Sequence, residues 1–249
     1  MTPVLLERTG LVEGEILRRY KRFLADVRMP DGSVAAVHCT NTGSMRTCWE
    51  PGDRVLVAPT ANPNRKLRYT WVACERGPGV WVGVETGIPN RVVAEAARRD
   101  ALPGLPGLRE VRTEVPYGRE HSRIDVLVRD AAGLEVFIEV KNATLRDGAR
   151  VLFPDAATAR GTKHLRELQA VMQEGKRAAA VFFVHRPDVS AFAAAREVDP
   201  RYAEELDRAA AAGLEVLPLA VRLVTTRDAD GSWRATWELP GLLPWEPGR

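Results

Sequence analysis

The 249-residue chain contains few cysteines, few histidines and no long apolar run, and each shortage excludes a class of protein. Its three cysteines are odd in number and lack Cys-x-x-Cys spacing, so reduced thiols are expected rather than a disulfide framework. The four histidines are scattered and form no zinc pattern. No apolar stretch reaches the roughly 18 residues that span a membrane, and the N-terminus lacks the basic and apolar regions of a secretory signal. We therefore expect a cytoplasmic protein with no membrane partner.

The charge of the chain is small but unevenly distributed. The formal net charge is +3, which is too low to indicate nucleic-acid binding by itself. Residues 1–87 contain 12 Lys and Arg against 9 Asp and Glu, whereas residues 88–249 contain 24 of each kind. A protein that binds phosphate backbones needs a basic stripe rather than a high total charge. The excess of positive charge therefore directs attention to the N-terminal third.

Two strand-like runs, Ser122–Arg129 and 134–142, contain charged residues in otherwise apolar, β-branched sequence. Asp125 lies in the first run, and Glu139 and Lys141 lie in the second. Because side chains alternate between the two faces of a strand, Glu139 and Lys141 point the same way, and the apolar residues beside them point into a core. Such charges on a sheet are costly to bury unless they serve a purpose.

The spacing of these residues is that of metal-dependent nucleases. An Asp is followed, after 13 residues, by Glu-x-Lys. Two carboxylates can hold a hard divalent cation such as Mg²⁺ or Mn²⁺, so we predict a metal site at Asp125 and Glu139. Lys141 would orient or deprotonate a water or stabilise charge on a phosphate. Lys141 is also conspicuous because the chain has 31 Arg but only 5 Lys. The alternative is a cross-strand ion pair on a solvated sheet face.

A helical pattern over residues 90–100 precedes these strands, and Asn90 is its predicted N-cap. Glu95 lies beside the apolar face of this helix and is the candidate third carboxylate of the catalytic group. The alternative is an exposed Glu paired with Arg91 or Arg99.

The elements after the two strands complete a recognisable order. Residues 157–175 have helical spacing, and residues 178–184 form an apolar run typical of a buried central strand. The order helix, three strands, helix, strand is the core of the restriction-endonuclease-like fold of PD-(D/E)xK nucleases. We further predict a helix over residues 199–212, a strand over 214–224 and an edge strand over 232–239.

The N-terminal third has short strand-like runs separated by Gly and Pro turns and no convincing helix. This pattern indicates a small β-barrel of the oligonucleotide-binding (OB) type. The predicted strands are 14–27, 33–39, 53–59, Tyr69–Glu75 and 80–84.

Two basic segments within this third alternate with aromatic residues and are the candidate nucleic-acid contacts. Cations can meet phosphates, and aromatic faces can stack on exposed bases. The alternative is a solvated strand face whose aromatic residues, Trp71 above all, fill the barrel core. The candidate cations are Arg18, Arg19, Lys21 and Arg22 in the first segment and Arg65, Lys66 and Arg68 in the second.

Taken together, the motifs resemble the sugar fermentation stimulation protein A family of bacteria and archaea. The resemblance extends over nearly the whole chain. It is carried by 19–27 RYKRFLADV, 41–45 NTGSM, 62–71 NPNRKLRYTW, 89–91 PNR, 122–125 SRID, 138–142 IEVKN, 153–156 FPDA and 161–168 GTKHLREL.

The resemblance implies an OB-fold-like barrel in residues 1–84 joined to a nuclease-type α/β domain in residues 85–249. It also implies DNA binding without marked sequence preference and a regulatory link to sugar (maltose) metabolism. The nuclease-type positions of the family correspond to Asp125, Glu139 and Lys141, and Glu95 is a weaker match. An active Mg²⁺- or Mn²⁺-dependent nuclease on DNA or RNA is the alternative to a binding protein. Single-stranded nucleic acid is a further candidate partner, and a homodimer is an alternative to a monomer.

Overall fold

The computed structural model describes residues 3–62, 64–118 and 122–248, and within them the strands form one long sheet and a small three-stranded sheet. Pro63, in the predicted contact segment 62–71, and His121 lie outside these ranges. The strands are β1 Val4–Tyr20, β2 Leu24–Arg28, β3 Val34–His38, β4 Arg54–Pro59, β5 Tyr69–Glu75, β6 Trp81–Gly83, β7 Arg109–Tyr117, β8 Ser122–Arg129, β9 Glu135–Ala143, β10 Leu145–Asp147, β11 Arg150–Phe153, β12 Arg177–Val184, β13 Ala191–Ala194, β14 Glu215–Arg227 and β15 Trp233–Leu242. The helices are α1 Gly87–Arg98, α2 Ala159–Gln173 and α3 Pro200–Ala211.

The N-terminal strands surround their own core. Backbone pairing runs from β1 to β2, β3, β5 and β4 and then returns to β1, and the β3–β5 step is the single parallel pair His38–Thr70. The predicted single strand 14–27 is wrong, because residues 21–23 form the turn of a hairpin between β1 and β2. The other four predicted strands are found as β3 to β6. Trp71 is fully buried in this core, as the alternative interpretation of the aromatic residues proposed.

β1 is long enough to take part in both halves of the molecule. Its first part, from Val4 to Leu11, pairs with β15, and its second part pairs with β4 and β2. Leu5 and Leu11 accordingly pack with α1 rather than with the N-terminal core. Residues 4–11, which the predicted division at 84/85 places in the N-terminal domain, therefore lie in the C-terminal sheet.

The C-terminal sheet has the order β1-β15-β14-β12-β9-β8-β7, with helices on both faces. β12 pairs in parallel with both β9 and β14 and is buried along nearly its whole length, as a central strand between helices requires. α1 packs on one face, and α2 and α3 pack on the other. The prediction of an edge strand at 232–239 is wrong, because β15 lies between β1 and β14.

The helix starts follow local capping chemistry in two cases. Thr158 accepts a hydrogen bond from the Gly161 N–H at the start of α2, and Asp199 caps α3, which has Pro200 at its first position. α1 instead begins after Thr86, so the prediction that Asn90 is the N-cap is wrong: Asn90 lies within the helix and its side chain has another partner. No helix among the described residues is long and apolar enough to cross a membrane.

Two buried groups fix the junction between the halves. The His185 ring accepts a hydrogen bond from Trp237 Nε1 (2.5 Å), and its carbonyl accepts one from the Gly83 N–H (2.9 Å). Arg186 is 3% exposed and donates to Thr47 Oγ1 of the N-terminal half (3.1 Å). It also donates to the Thr144 carbonyl (2.5 Å) and forms a two-bond pair with Asp188, both in the C-terminal half. Because these groups are buried, their hydrogen bonds determine how the N-terminal strands dock on the C-terminal sheet.

Candidate functional site

Asp125 is held where the pairing of β8 with β9 ends. The last paired residues are Val126 and Ile138, and beyond them the Asp125 carboxylate accepts a hydrogen bond from the Val140 N–H (2.7 Å). Its other oxygen accepts from Asn90 Nδ2 of α1 (2.7 Å). Burial, and secondly the negative charge of Glu139, raise the pKa of Asp125 to about 6. The two carboxylates therefore lie close enough to repel one another.

Glu139 is 3% exposed and its two oxygens have unlike surroundings. Oε1 accepts hydrogen bonds from Lys141 Nζ and from His164 Nδ1. Oε2 is buried and has no hydrogen-bond partner among the described residues. Burial acts to raise the pKa of Glu139, but the His164 hydrogen bond and the Lys141 charge outweigh it, so that the pKa is lowered.

The alternation predicted for β9 is confirmed. Ile138 and Val140 pack in the core that contains α1, whereas Glu139 and Lys141 lie on the opposite face, beside α2. The alternative of an ion pair on a solvated face is wrong, since the side chains of Glu139 and Lys141 are only 4% and 17% exposed.

Glu95 lies near the site, but its carboxylate forms an ion pair with Arg99, as the alternative to a catalytic role predicts. It pairs with Arg99 (2.7 Å) and Arg98 (3.4 Å), and the Arg99 hydrogen bond is the main reason that its pKa is lowered. Glu95 also lines an open cleft of about 450 Å³ together with Asp125 and Arg91. It is therefore a neighbour of Asp125 whose carboxylate is already engaged.

Asn90 and His164 are site residues that the sequence interpretation did not assign. The sequence predicts only a capping role for Asn90, because this residue precedes an apolar helical run. His164 falls within a helical pattern, and only the pairing of α2 with β9 brings it to Glu139. The usable signal was a polar side chain on the buried face of each helix.

A divalent cation fits the carboxylate pair. No group of three His, Cys, Asp and Glu side chains in the described ranges is placed to hold a metal. The buried Glu139 Oε2 nevertheless has no partner among the residues that the structure describes. Burial and the Glu139 charge raise the pKa of Asp125, and both effects are of the kind that a cation relieves. Oxygen donors suit Mg²⁺, Mn²⁺ and Ca²⁺, which complete their coordination with water or substrate oxygens.

In the first basic segment, some basic side chains hold the protein together and one, Lys21, is available to a ligand. Arg19 donates to the carbonyls of Asn41 and Gly43, and Arg22 donates to that of Thr42, so both hold the loop that follows β3. Arg18 pairs with Asp26 (2.7 Å). Lys21, at the turn, is exposed and has no ion pair within the part of the chain that the structure describes.

The second basic segment lies at the same end of the N-terminal domain. Arg65 contacts the His38 ring at the end of β3 (3.1 Å), and the Cys39 N–H bonds to the carbonyl of Phe23 in the β1–β2 turn. Lys66 and Arg68 are exposed and unpaired among residues 3–62, 64–118 and 122–248. The β1–β2 turn and the β4–β5 loop thus form one basic surface.

Comparison with known proteins matches both halves of the chain. Residues 17–84 match a family model described as the SfsA N-terminal OB domain, and residues 87–227 match the sugar fermentation stimulation protein RE domain. Sugar fermentation stimulation protein homologs from Geobacter metallireducens and Pelobacter propionicus are 44% and 47% identical. The first alignment covers 94% of this chain and 98% of the relative, and the second covers 83% and 89%. The structure of Pyrococcus furiosus SfsA in complex with Ca²⁺ aligns with a TM-score of 0.84 and 31% identity, over 98% of this chain and 99% of that one.

Proposed function

The chain belongs to the sugar fermentation stimulation protein family, and we propose that it is a sequence-nonspecific DNA-binding protein with a divalent-cation site at Asp125 and Glu139. The observation that carries the proposal is the buried carboxylate pair, in which Glu139 Oε2 has no partner among the described residues and the charge of Glu139 acts on Asp125. The Pyrococcus furiosus relative is in complex with Ca²⁺, which supports cation binding by this chain. Mg²⁺ or Mn²⁺ are the cations that we propose for its cellular state.

The DNA-binding part of the proposal rests on the basic surface. OB folds bind oligonucleotides through one sheet face and through the loops after the first and fourth strands. In this chain those loops contain Lys21, Arg65, Lys66 and Arg68. Phe23, 49% exposed at the same end, offers an aromatic face for an unstacked base. Contacts of this kind read the phosphate backbone rather than the sequence. We place the protein in the cytoplasm, with a regulatory role in sugar (maltose) metabolism exerted through DNA.

A metal-dependent nuclease is the second candidate, and Lys141 is the observation that favours it. A bound divalent cation would neutralise charge on a phosphate and activate a water. Lys141 Nζ donates to the same carboxylate that would hold the cation, which keeps its positive charge beside the reacting phosphate. Asp125 is held in place from two sides, by the Val140 N–H and by Asn90.

DNA binding is tested by fluorescence anisotropy at several salt concentrations, with duplex DNA, single-stranded DNA and RNA in competition. Each phosphate contact contributes about −0.9 to the slope of log K against log salt for duplex DNA. Lys66→Ala and Arg68→Ala are each expected to reduce the slope by about one, equally for all sequences.

Arg28→Ala is the matched control for this measurement. Arg28 is exposed and basic but lies at the opposite end of the β1–β2 hairpin, paired with Glu15. Its slope should equal that of the wild type. A slope unchanged by Lys66→Ala and Arg68→Ala would remove the basic surface from the binding model.

Turnover is tested with labelled single- and double-stranded DNA in Mg²⁺, Mn²⁺ or EDTA, beside Lys141→Ala. Cleavage that requires the cation and disappears in the variant would establish a nuclease. Salt-sensitive binding without cleavage in either cation would support the binding protein. Cation titration of Asp125→Ala and Glu139→Ala checks the site itself, and affinity retained in both variants would refute it.

A further inference from the structure

We propose that His164 is a positioning residue for the cation site: it holds Glu139 Oε1 so that Oε2 is left for the cation. The inference deepens the proposed function and rests on it. It assigns a role to a buried polar side chain on α2 that is not itself a proposed ligand.

The ring of His164 is fixed by its place in the helix. His164 is 4% exposed and lies on the face of α2 that packs with Leu165 and Leu168 against the sheet. Its Nδ1 bonds to Glu139 Oε1, and its Nε2 faces Arg160, one helical turn earlier. Because both ring nitrogens have partners, rotation of the ring would break two contacts at once.

The partners of the two ring nitrogens indicate which nitrogen carries the hydrogen toward Glu139. Arg160 Nε donates to His164 Nε2 at 3.4 Å, and a guanidinium has no acceptor. Nε2 is therefore the acceptor in this contact, and Nδ1, which lies against the accepting carboxylate oxygen of Glu139, carries the hydrogen. His164 is thus a donor toward Glu139, as the outer residues of metal sites commonly are toward the ligands they orient.

The hydrogen bonds to the Glu139 carboxylate are unequally divided between its two oxygens. Oε1 receives both the His164 Nδ1–H and a hydrogen from Lys141 Nζ. Oε2 receives none from the described residues, although it is buried. The two carboxylate oxygens are chemically equivalent, so if the group flips, one oxygen still accepts both hydrogen bonds and the other has no partner among the described residues. A buried acceptor of this kind is costly unless a ligand satisfies it.

The test compares amide replacements that place a donor at different atoms. In His164→Asn the side-chain nitrogen takes the place of Nδ1, whereas in His164→Gln it takes the place of Nε2. His164→Leu removes the donor, and Gln173→Ala, exposed at the end of the same helix, is the control. Affinity of the full chain for Mn²⁺ and Ca²⁺ is measured by isothermal titration calorimetry.

His164→Leu and His164→Gln are expected to weaken cation binding by about 10- to 100-fold. His164→Asn should stay close to the wild type, and the Gln173→Ala control should match it. DNA binding in EDTA should be the same in all variants, because the basic surface is untouched. Cation affinity retained in His164→Asn but lost in His164→Gln would not be expected if His164 only filled space in the core.

The outcomes separate this inference from the proposed function. If the wild type binds neither cation, the proposed site and this inference both fail. If the wild type binds and His164→Leu binds equally well, only the inference fails. Should His164→Leu not fold, the Asn and Gln variants still decide: equal affinity in those two would overturn the positioning role.

Discussion

Asp125 is expected to destabilise the cation-free protein at neutral pH, and Asp125→Asn should remove that effect. Burial and the nearby Glu139 raise the pKa of Asp125 from 3.8 to about 6. The folded state therefore binds a proton that the unfolded state has already released. Stability contributed by this proton is present below about pH 4 and is lost as pH rises toward the folded pKa.

The magnitude follows from the size of the shift. A change from 3.8 to about 6, at about 1.4 kcal/mol per unit, amounts to about 3 kcal/mol. Between about pH 4 and about pH 7 the expected loss is about 2 kcal/mol, and the curve is nearly flat above that. The amide introduced by Asp125→Asn cannot ionise, so the variant should not show this loss of folding free energy as the pH rises. The amide of Asn90 can rotate to present its oxygen to the new amide, so the substitution need not break that contact.

The assay is urea unfolding in EDTA from pH 4.5 to 8, with the variant and the wild type side by side. The difference between the two proteins isolates Asp125 together with its coupling to Glu139, because titrating groups away from this pair contribute equally to both. His185, whose pKa burial lowers to about 3, is one such group: it weakens folding as pH falls below its unfolded value in both proteins.

Asp147→Asn is the control, since Asp147 is exposed and pairs with Arg150. Its difference from the wild type should not change with pH. Saturating Mn²⁺ should stabilise the wild type more than Asp125→Asn, because a cation binds the ionised carboxylate. A variant whose advantage does not grow with pH would show that Asp125 is not buried against a second negative charge, and the proposed site would lose its main support.

Two further substitutions test the junction between the halves. Gly83→Ala would drive a Cβ into the His185 ring, which Trp237 holds in place, so stability should fall by about 3 kcal/mol and the Tm by roughly 6 to 12 °C. Gly87→Ala, which meets nothing within 4 Å, should change the Tm little, and an equal fall in both variants would contradict the clash. Arg186→Met should destabilise by about 3 kcal/mol in urea, because it removes the buried guanidinium that donates to the half-buried Asp188 carboxylate and to the buried Thr144 carbonyl. The exposed Arg146→Met should lose less than about 1 kcal/mol, and similar losses in the two would refute the role of burial.

Sequence reasoning succeeded where the signal was local. The alternation of β9 placed Glu139 and Lys141 on one face, and the helix predicted over residues 199–212 is found as α3. It failed where local and long-range chemistry compete. Asn90 looks like a cap in sequence, but its amide serves a carboxylate that lies 35 residues later in the chain.

The sequence by itself determined most of the strands, the three helices and the identity of the Asp-Glu-Lys group, because periodicity and residue type are local properties. Only the tertiary structure decided the surroundings of that group. β15 is a central strand because β1, from the N-terminal end of the chain, pairs with its outer edge. His164 became the partner of Glu139 because α2 packs across β9. Burial raises the pKa of Asp125, whereas the His164 hydrogen bond and the Lys141 charge overcome burial and lower the pKa of Glu139. Distances and exposure depend on which elements meet, and that is set by the whole core rather than by any short segment.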